Sequence, residues 1–190
     1  MSRQIDYYFS LQSPWAYIGH KLFRDVADTY DLKVNHKPVV LVDLFSETGG
    51  LPLLKRHPVR QRYRMVELQR WRDKRGLDFH LEPANWPFNA RLADGVVVSA
   101  VEAGLDPDPF LRRAFAAVWE DQLSLADPAV LVKLAFPNAG KGPPQKGVGI
   151  MSGLDRRDHH AIGEPRVEGP VRRLQMKIQE IGRASCRERV

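Results

Sequence analysis

The chain has 190 residues, 43% of them hydrophobic, and a formal net charge of +6. Its length suits one domain, or one domain with an insertion, and no apolar run approaches the roughly 20 residues of a membrane-spanning helix. The N-terminus, MSRQIDYYFS, lacks the apolar core of a signal peptide, which favours a cytoplasmic protein. The only cysteine is Cys186, so no internal disulfide can form.

The first strand and helix form the start of a βαβ unit. Residues 5–10 alternate loosely and are rich in Tyr and Phe, which predicts a buried strand. A helix is predicted over residues 14–30, with an inward stripe at Ile18, Leu22, Val26 and Tyr30. Residues 34–42 read as a second strand, with Pro38 near its edge or at a bend. Because a crossover helix joins them, the two strands should be parallel.

Residues 43–135 form an all-helical block. Helices are predicted over 58–74, with Tyr63, Val66 and Leu68 inward, and over 92–103, 109–122 and from Asp127-Pro128 onward. The third has the clearest periodicity, carried by Phe110, Leu111, Ala114, Phe115, Val118 and Trp119. We therefore divide the folded part into an N-terminal βαβ unit, residues 1–42, and a helical insertion, residues 43–135. Two parallel strands are too few to stand alone, so the C-terminal part of an α/β sheet is expected to be missing.

The character of the chain changes near Phe136. No Phe, Tyr or Trp follows that residue, and eight of the 14 glycines lie in the last 55 positions. Residues 136–179 show no sustained period, and we interpret them as an atypical, frame-shifted tail. The last eleven, EIGRASCRERV (180–190), match one reading frame of a common sequencing-library adapter, so we interpret them as an artefact. The alternative is a genuine disordered tail. Resequencing the gene past codon 135 distinguishes the artefact from the genuine tail.

Basic residues give weak support for a nucleic-acid partner. Residues 1–135 contain 18 Lys and Arg against 17 Asp and Glu, so the basic excess lies in the tail. Segment 53–76 is basic, but a solvated helix face explains it better, since its Tyr, Val, Leu and Trp residues are needed for packing. His159-His160 lacks a spaced third ligand, so no metal site is predicted. We expect neither a nucleic-acid nor a membrane partner.

Ser13 is the strongest candidate for a functional residue. As the residue before Pro14 at a helix start, it can be a simple N-cap. However, a helix N-terminus after a first parallel strand faces the sheet edge where α/β proteins bind ligands, and its partial charge favours anions, including thiolates. Ser13 is therefore either a helix N-cap alone or an N-cap that also binds an anion.

The run Ser13-Pro14-Trp15-Ala16 resembles the start of a thioredoxin-type domain in which both sulfur positions are lost, which excludes dithiol redox chemistry. With YFSLQSPWAYIG, KPVVLVDLFSETGG and VWEDQLSLADP in order, residues 3–135 resemble the 2-hydroxychromene-2-carboxylate isomerases and the kappa-class glutathione transferases. These are glutathione-dependent members of the DsbA-like branch. The resemblance implies a thioredoxin-like α/β fold with a large helical insertion.

This resemblance also implies the roles of individual residues. Ser13 would donate a hydrogen bond to the sulfur of glutathione and so stabilise its thiolate, while Pro14 and Gly50 would help to bind the cofactor. Trp86 and Asn89 would contact a small aromatic substrate. In the isomerases the thiolate adds to the conjugated ring and leaves after a bond rotation, so glutathione is regenerated. The alternatives are a kappa-like transferase and a non-catalytic thioredoxin-like module.

The sequence departs from this family in two places. The family often reads Lys-Ala-Thr-Gly-Asn where this chain has residues 46–50, so its lysine and asparagine are replaced by Ser46 and Gly50. Lys55 and Arg56 are the nearest substitutes for the lost cation, and an exposed lysine without a role is the alternative. No proline loop of the family type follows residue 135, so we expect a truncated chain that binds glutathione poorly. Family members are often dimers, so a homodimer is an expectation, with Trp71 and Trp119 as interface residues.

Overall fold

The computed structural model describes residues 3–137 of the chain. Within them a strand, a helix and a strand precede a series of helices, as the sequence predicted. The elements are β1 (Gln4–Phe9), α1 (Pro14–Thr29), β2 (Lys33–Pro38), α2 (Leu41–Thr48), a 3₁₀ turn (Leu53–Lys55), α3 (Pro58–Arg75), α4 (Arg91–Glu102), α5 (Asp108–Trp119) and α6 (Pro128–Ala135). Apart from Phe136 and Pro137, the predicted tail segments lie outside the described residues.

The two strands pair in parallel, which confirms the predicted βαβ unit. Their register runs from Gln4 opposite Lys33 to Phe9 opposite Pro38. The prediction of a buried first strand was wrong for most of β1, because Phe9 alone among its residues is buried. In residues 3–137 only β2 pairs with β1, and the helical block covers mainly the end of the strand that carries Phe9.

The second strand is shorter than predicted. It ends at Pro38, and α2 begins at Leu41, so the prediction of a strand through Val42 was wrong. The backbone N–H of Val39 makes the last contact with β1, donating to the Phe9 carbonyl at 2.8 Å. Since β1 ends at Phe9, the residues beyond Val39 have no strand to pair with. The high strand propensity of the Val-Val-Leu-Val run is then overridden by tertiary context.

Helix α1 buries a different face from the one predicted. Ile18 is buried, but Leu22, Val26 and Tyr30 are 44%, 46% and 58% exposed, so most of the predicted stripe was wrong. The buried residues of α1 are Pro14, Ile18, His20 and Ala27. His20 lies on this face because it contacts a buried carboxylate on α5.

That carboxylate, Asp108, is the centre of a buried ion cluster that joins α1 to α5. Nε of Arg112 donates to Oδ2 of Asp108 at 2.7 Å, while Nε2 of His20 and Nε of Arg24 lie 3.2 and 3.3 Å from Oδ1. Neither of the last two contacts has hydrogen-bond alignment; the contact of Arg24 is an ion pair, and that of His20 is one only when its imidazole is protonated. The Tyr7 hydroxyl lies 3.2 Å from Nδ1 of His20, which connects β1 to the same cluster. Burial disfavours the charge on Asp108, but His20, Arg112 and Arg24 outweigh it and hold the pKa of the carboxyl at about 2.

Helix α3 is also rotated relative to its prediction. Leu68 is fully buried, as predicted, but Tyr63 and Val66 are 60% and 47% exposed. The inward face is centred on Leu68 and continues one turn away on either side with Met65 and Trp71, which pack against the core. Because α3 is basic and has few apolar residues, its sequence does not define which face points to the core. In the structure, the burial of Leu68 defines that face.

Helices α5 and α6 agree closely with their predictions. All six residues of the predicted α5 periodicity are buried: Phe110, Leu111, Ala114, Phe115, Val118 and Trp119. Oδ1 of Asp127 caps α6 by accepting from the Ala129 N–H at 2.8 Å. Because Trp119 has no exposed surface, its predicted place in a dimer interface was wrong. Trp71 remains partly accessible.

The described residues offer neither a metal site nor a membrane-spanning helix. Residues 3–137 contain no group of three or more His, Cys, Asp or Glu side chains arranged to hold a metal ion. Within the same range no helix combines the length and hydrophobicity that crossing a membrane requires.

Candidate functional site

Ser13 lies at the N-cap of α1, immediately after the turn that leaves β1. Its backbone is extended, with φ −91° and ψ 116°, and its Oγ accepts a hydrogen bond from the Ala16 N–H at 3.3 Å. The Ser13 N–H donates to the Ser10 carbonyl at 3.0 Å, and Pro14 occupies the first helical turn. No described residue accepts a hydrogen bond from the Ser13 hydroxyl, so its hydrogen is available to an anion placed at the positive end of α1.

Two cavities open onto Ser13. One, the strand cavity, has a volume of about 460 Å³ and is lined by Tyr7, Tyr8, Phe9, Ser10, Ser13, Trp15, Ala16, Gly19, Phe23, Val39, Leu41 and Leu44. The other, the arginine cavity, measures about 470 Å³ and is lined by Gln12, Ser13, Pro14, Trp15, Leu41, Val42, Phe45, Pro52, Leu53, Leu54, Lys55, Arg56, Arg64, Trp86 and Pro87. Ser13 therefore borders two cavities, which also share Trp15 and Leu41.

The arginine cavity owes its positive charge to three basic residues, Lys55, Arg56 and Arg64. The Arg64 guanidinium lies 5.4 Å from the centre of the Trp86 ring, and that of Arg56 lies 5.8 Å from the centre of the Phe45 ring. Neither arginine has a carboxylate within 4 Å among the described residues. Burial lowers the pKa of Arg64, and the charge of Arg56 lowers it further. Guanidinium groups that lack a carboxylate partner and lie beside aromatic rings favour a planar anion, such as an aromatic carboxylate.

Trp86 is held beside Ser13 by hydrogen bonds between the helical block and the turn after β1. Its Nε1 donates to the Gln12 carbonyl at 2.9 Å, and Nε2 of Gln12 donates in return to the Phe88 carbonyl. The Trp86–Pro87 peptide bond is cis. Trp86, Pro14 and Ser13 therefore line one cavity, although 72 residues separate the first of them from the second.

Two other predicted site residues, Asn89 and Gly50, lie outside the two cavities that contain Ser13. Asn89 does not line either cavity that contains Ser13; its Oδ1 accepts from the Arg91 N–H at 3.0 Å at the start of α4. Gly50 lines none of these cavities but lies behind the arginine-cavity wall, where a Cβ would come within 2.7 Å of the Phe45 ring. Lys55, predicted as a substitute cation, lies in the wall of the arginine cavity and is exposed.

A third cavity, of about 360 Å³, adjoins the arginine cavity and contains Asp94. This Asp94 cavity is lined by Ser10, Gln12, Val39, Val40, Leu41, Val42, Asp43, Pro87, Phe88, Asn89, Ala90, Arg91 and Asp94. Asp94 is 8% exposed, its Oδ1 has almost no accessible surface, and no described residue hydrogen-bonds to either of its carboxyl oxygens. Burial raises the pKa of the Asp94 carboxyl from 3.8 to about 7.

This raised pKa makes the Asp94 contribution to stability depend on pH. Between about pH 4 and pH 7 the folded state holds a proton that the unfolded state has released, so stability falls as pH rises through that range. We expect Asp94→Asn to raise the free energy of unfolding by about 2 kcal/mol at about pH 8. Three pKa units are worth about 4 kcal/mol, and an unsatisfied buried amide offsets roughly half of this.

Urea unfolding of both proteins at about pH 8 and about pH 4 measures the difference. At the lower pH the folded carboxyl is protonated and the unfolded one is only about half ionised, so little of the pH-dependent penalty remains and the gain should largely disappear. A gain of the same size at both values would contradict this account of Asp94.

Comparison with known proteins identifies the family to which this fold belongs. A model of the DSBA-like thioredoxin domain matches residues 4–139, more than two thirds of the chain. The chain belongs to this family. Its fold class, a DsbA-like thioredoxin fold with a helical insertion, was thus predicted correctly.

Two relatives of this DsbA-like chain carry one name. The 2-hydroxychromene-2-carboxylate isomerase of Pseudomonas putida is 26% identical over 121 residues, or 63% of this chain. That match spans 58% of the isomerase, which is less than two thirds of its length. A solved structure of 2-hydroxychromene-2-carboxylate isomerase superposes on this chain with a TM-score of 0.56. The superposition covers 98% of this chain and 81% of the isomerase chain. At 22% identity the second likeness shows the fold alone.

Sequence reasoning missed two residues of the site region in this DsbA-like domain. Arg64 belongs to the basic segment interpreted as a solvated face, and only the phase of α3 reveals that it points into a cavity. Asp94 had a visible signal, since it is the one polar residue in the run LADGVVV, residues 92–98. A lone acid in such a run is either paired or functional, and the described residues offer it no partner.

Proposed function

We propose that the protein is a glutathione-dependent isomerase acting on an anionic aromatic substrate of the 2-hydroxychromene-2-carboxylate type. The observation that carries this proposal is the position of Ser13. A free hydroxyl donor at the N-terminus of α1 opens onto a cavity that also contains Arg56, Arg64 and Trp86. The isomerase named among the relatives supports the same reaction class.

The residues present fit a thiol cofactor at Ser13. Glutathione, when bound, supplies the thiolate nucleophile. The Ser13 hydroxyl can donate to a sulfur anion because its Oγ uses a lone pair, not its hydrogen, in capping α1. Pro14 presents no N–H and stiffens the first turn, while the Trp15 N–H, the one donor of that turn with no partner among the described residues, favours negative charge. Together these features lower the pKa expected for a thiol held there.

Substrate recognition is assigned to the arginine cavity. Arg64 and Arg56 would bind the substrate carboxylate, since each guanidinium offers a fork of donors that matches two carboxylate oxygens. Trp86 and Phe45 would contact the aromatic ring from the same walls. The apolar residues Leu41 and Val42 complete a surface that excludes water from the ring.

Glutathione affinity is expected to be low. Gly50 has no side chain at the position where the family often carries a cofactor-binding asparagine, and Ser46 replaces the family lysine. The test therefore incubates the full chain with 2-hydroxychromene-2-carboxylate, with and without glutathione at millimolar concentrations, and follows the absorbance of the trans product. Glutathione-dependent conversion supports the proposal.

Two other outcomes would overturn it. Formation of a stable glutathione conjugate with an aromatic halide, without isomerisation, would indicate a transferase. Absence of both reactions, together with no detectable glutathione binding by calorimetry, would indicate a non-catalytic thioredoxin-like module.

The role of Arg64 is tested by Arg64→Met, which keeps the length and the apolar stem of the side chain. We expect KM for the aromatic carboxylate to rise about tenfold with a smaller change in kcat, because the lost contact is with a part of the substrate that does not react. Arg60→Met, an exposed arginine on the same helix, is the control and should leave KM unchanged. If both substitutions raised KM equally, the change in net charge would explain the effect, and the proposed contact of Arg64 with the substrate would be wrong.

A further inference from the structure

The Asp94 cavity carries an inference of its own, separate from the proposed isomerase reaction. Its walls contain three charged groups: Asp43, Arg91 and Asp94. Asp43 and Arg91 pair with each other, their Oδ2 and Nη2 atoms lying 3.2 Å apart, and both are largely exposed. The carboxyl of Asp94 has no such partner among the described residues and is more than nine-tenths buried.

A buried carboxyl without a hydrogen-bond donor is an unfavourable arrangement unless something else satisfies it. Asp94 follows the start of α4 by three residues, and its own N–H is used in the helix, donating to the Ala90 carbonyl at 2.8 Å. The walls beside it are mostly apolar, with Val39, Val40, Leu41 and Phe88 among them. The cavity therefore combines one unsatisfied acid with a wall that is partly apolar.

We propose that the Asp94 cavity is a binding site for a small primary amine with an apolar body, whose ammonium group pairs with the Asp94 carboxylate. The ammonium supplies the charge and the donors that Asp94 lacks, and the apolar body contacts the valine, leucine and phenylalanine walls. An anion is disfavoured here, in contrast to the adjoining arginine cavity. The two cavities share Gln12, Leu41, Val42 and Pro87, so neighbouring parts of one surface prefer opposite charges.

Benzylamine is a suitable probe because it has a primary ammonium on a small aromatic body. Its binding to the full chain at about pH 8 is measured by calorimetry, with benzyl alcohol as the uncharged analogue. We expect saturable binding of benzylamine, weaker binding of benzyl alcohol, and a loss of about tenfold or more in benzylamine affinity in Asp94→Asn. Asp25→Asn, which removes an exposed carboxylate on α1 outside this cavity, is the matched control and should bind as the parent chain does.

A second measurement needs no variant. In protein carrying ¹³C-labelled aspartate, addition of benzylamine should move the carboxyl resonance of Asp94 more than those of other aspartates. The proposal is overturned if benzylamine does not bind, if Asp94→Asn binds it equally well, if benzyl alcohol binds as tightly, or if the Asp94 resonance stays in place. None of these readouts depends on glutathione or on turnover, so failure here is distinguishable from failure of the isomerase proposal.

Discussion

Replacing Ser13 by alanine is expected to lower kcat/KM of the glutathione-dependent isomerisation by about ten- to hundredfold. A hydrogen bond to a charged group is worth about 1.5–3 kcal/mol, and each 1.36 kcal/mol corresponds to about a factor of ten in rate. The thiolate of bound glutathione, measured by its ultraviolet absorbance as pH is varied, should form at a higher pH in this variant.

Ser13 also caps α1, so a loss of activity in Ser13→Ala has to be separated from a loss of stability. Ser13→Asp makes that separation, since aspartate is a good N-cap but its carboxylate repels a thiolate and cannot donate to it. We expect this variant to be at least as inactive as the alanine variant while unfolding no earlier than the parent chain.

Asp127→Ala provides the converse control. It removes the N-cap of α6, which costs about 1 kcal/mol of stability, far from Ser13 in the sequence and outside both cavities that contain it. Activity should be unchanged. If Asp127→Ala lost activity as Ser13→Ala does, or if Ser13→Asp stayed active, the thiolate-stabilising role of Ser13 would be wrong.

The largest expected loss of stability follows substitution of Asp108 by asparagine. His20 would keep its buried position without a carboxylate beside it, Arg24 would keep only its exposed partner Asp28, and Arg112 would lose its 2.7 Å hydrogen bond. Removing one partner of a buried ion cluster typically costs about 3–5 kcal/mol. Urea unfolding of the parent chain and the variant measures this difference directly.

The pH dependence of this loss has a defined sign. Because the pKa of Asp108 falls from 3.8 to about 2 on folding, its contribution is present above about pH 4 and is lost as pH falls towards 2. The difference between parent and variant should therefore shrink in acid. Asp25→Asn, which breaks an exposed ion pair with Lys21 on α1, should cost less than about 0.5 kcal/mol at any pH. A comparable loss in both variants would contradict the importance of burial.

The order of the elements could be predicted from the sequence because it depends on local patterns. The α5 periodicity, the Asp127-Pro128 cap and the Ser13-Pro14 helix start each involve residues a few positions apart, and each is confirmed. The faces of α1 and α3 were predicted less well. Both helices carry apolar residues on more than one side, so their burial depends on partners far away in the chain.

The same distinction between local patterns and distant contacts applies to the residues of the candidate site. The sequence by itself determined Ser13 as a helix-capping hydroxyl at the end of the first strand, since that position follows from the βαβ order alone. Only the tertiary structure placed Trp86 and Arg64 in the cavity with Ser13, and Asp94 in the adjoining cavity, while Asn89 and Gly50 remained outside the two cavities that Ser13 lines. The physical reason is that hydrogen bonds of Gln12 with Trp86 and Phe88 join segments more than 70 residues apart, and packing around Leu68 sets the rotation of α3. Such contacts form when the whole chain folds, and no local pattern encodes them.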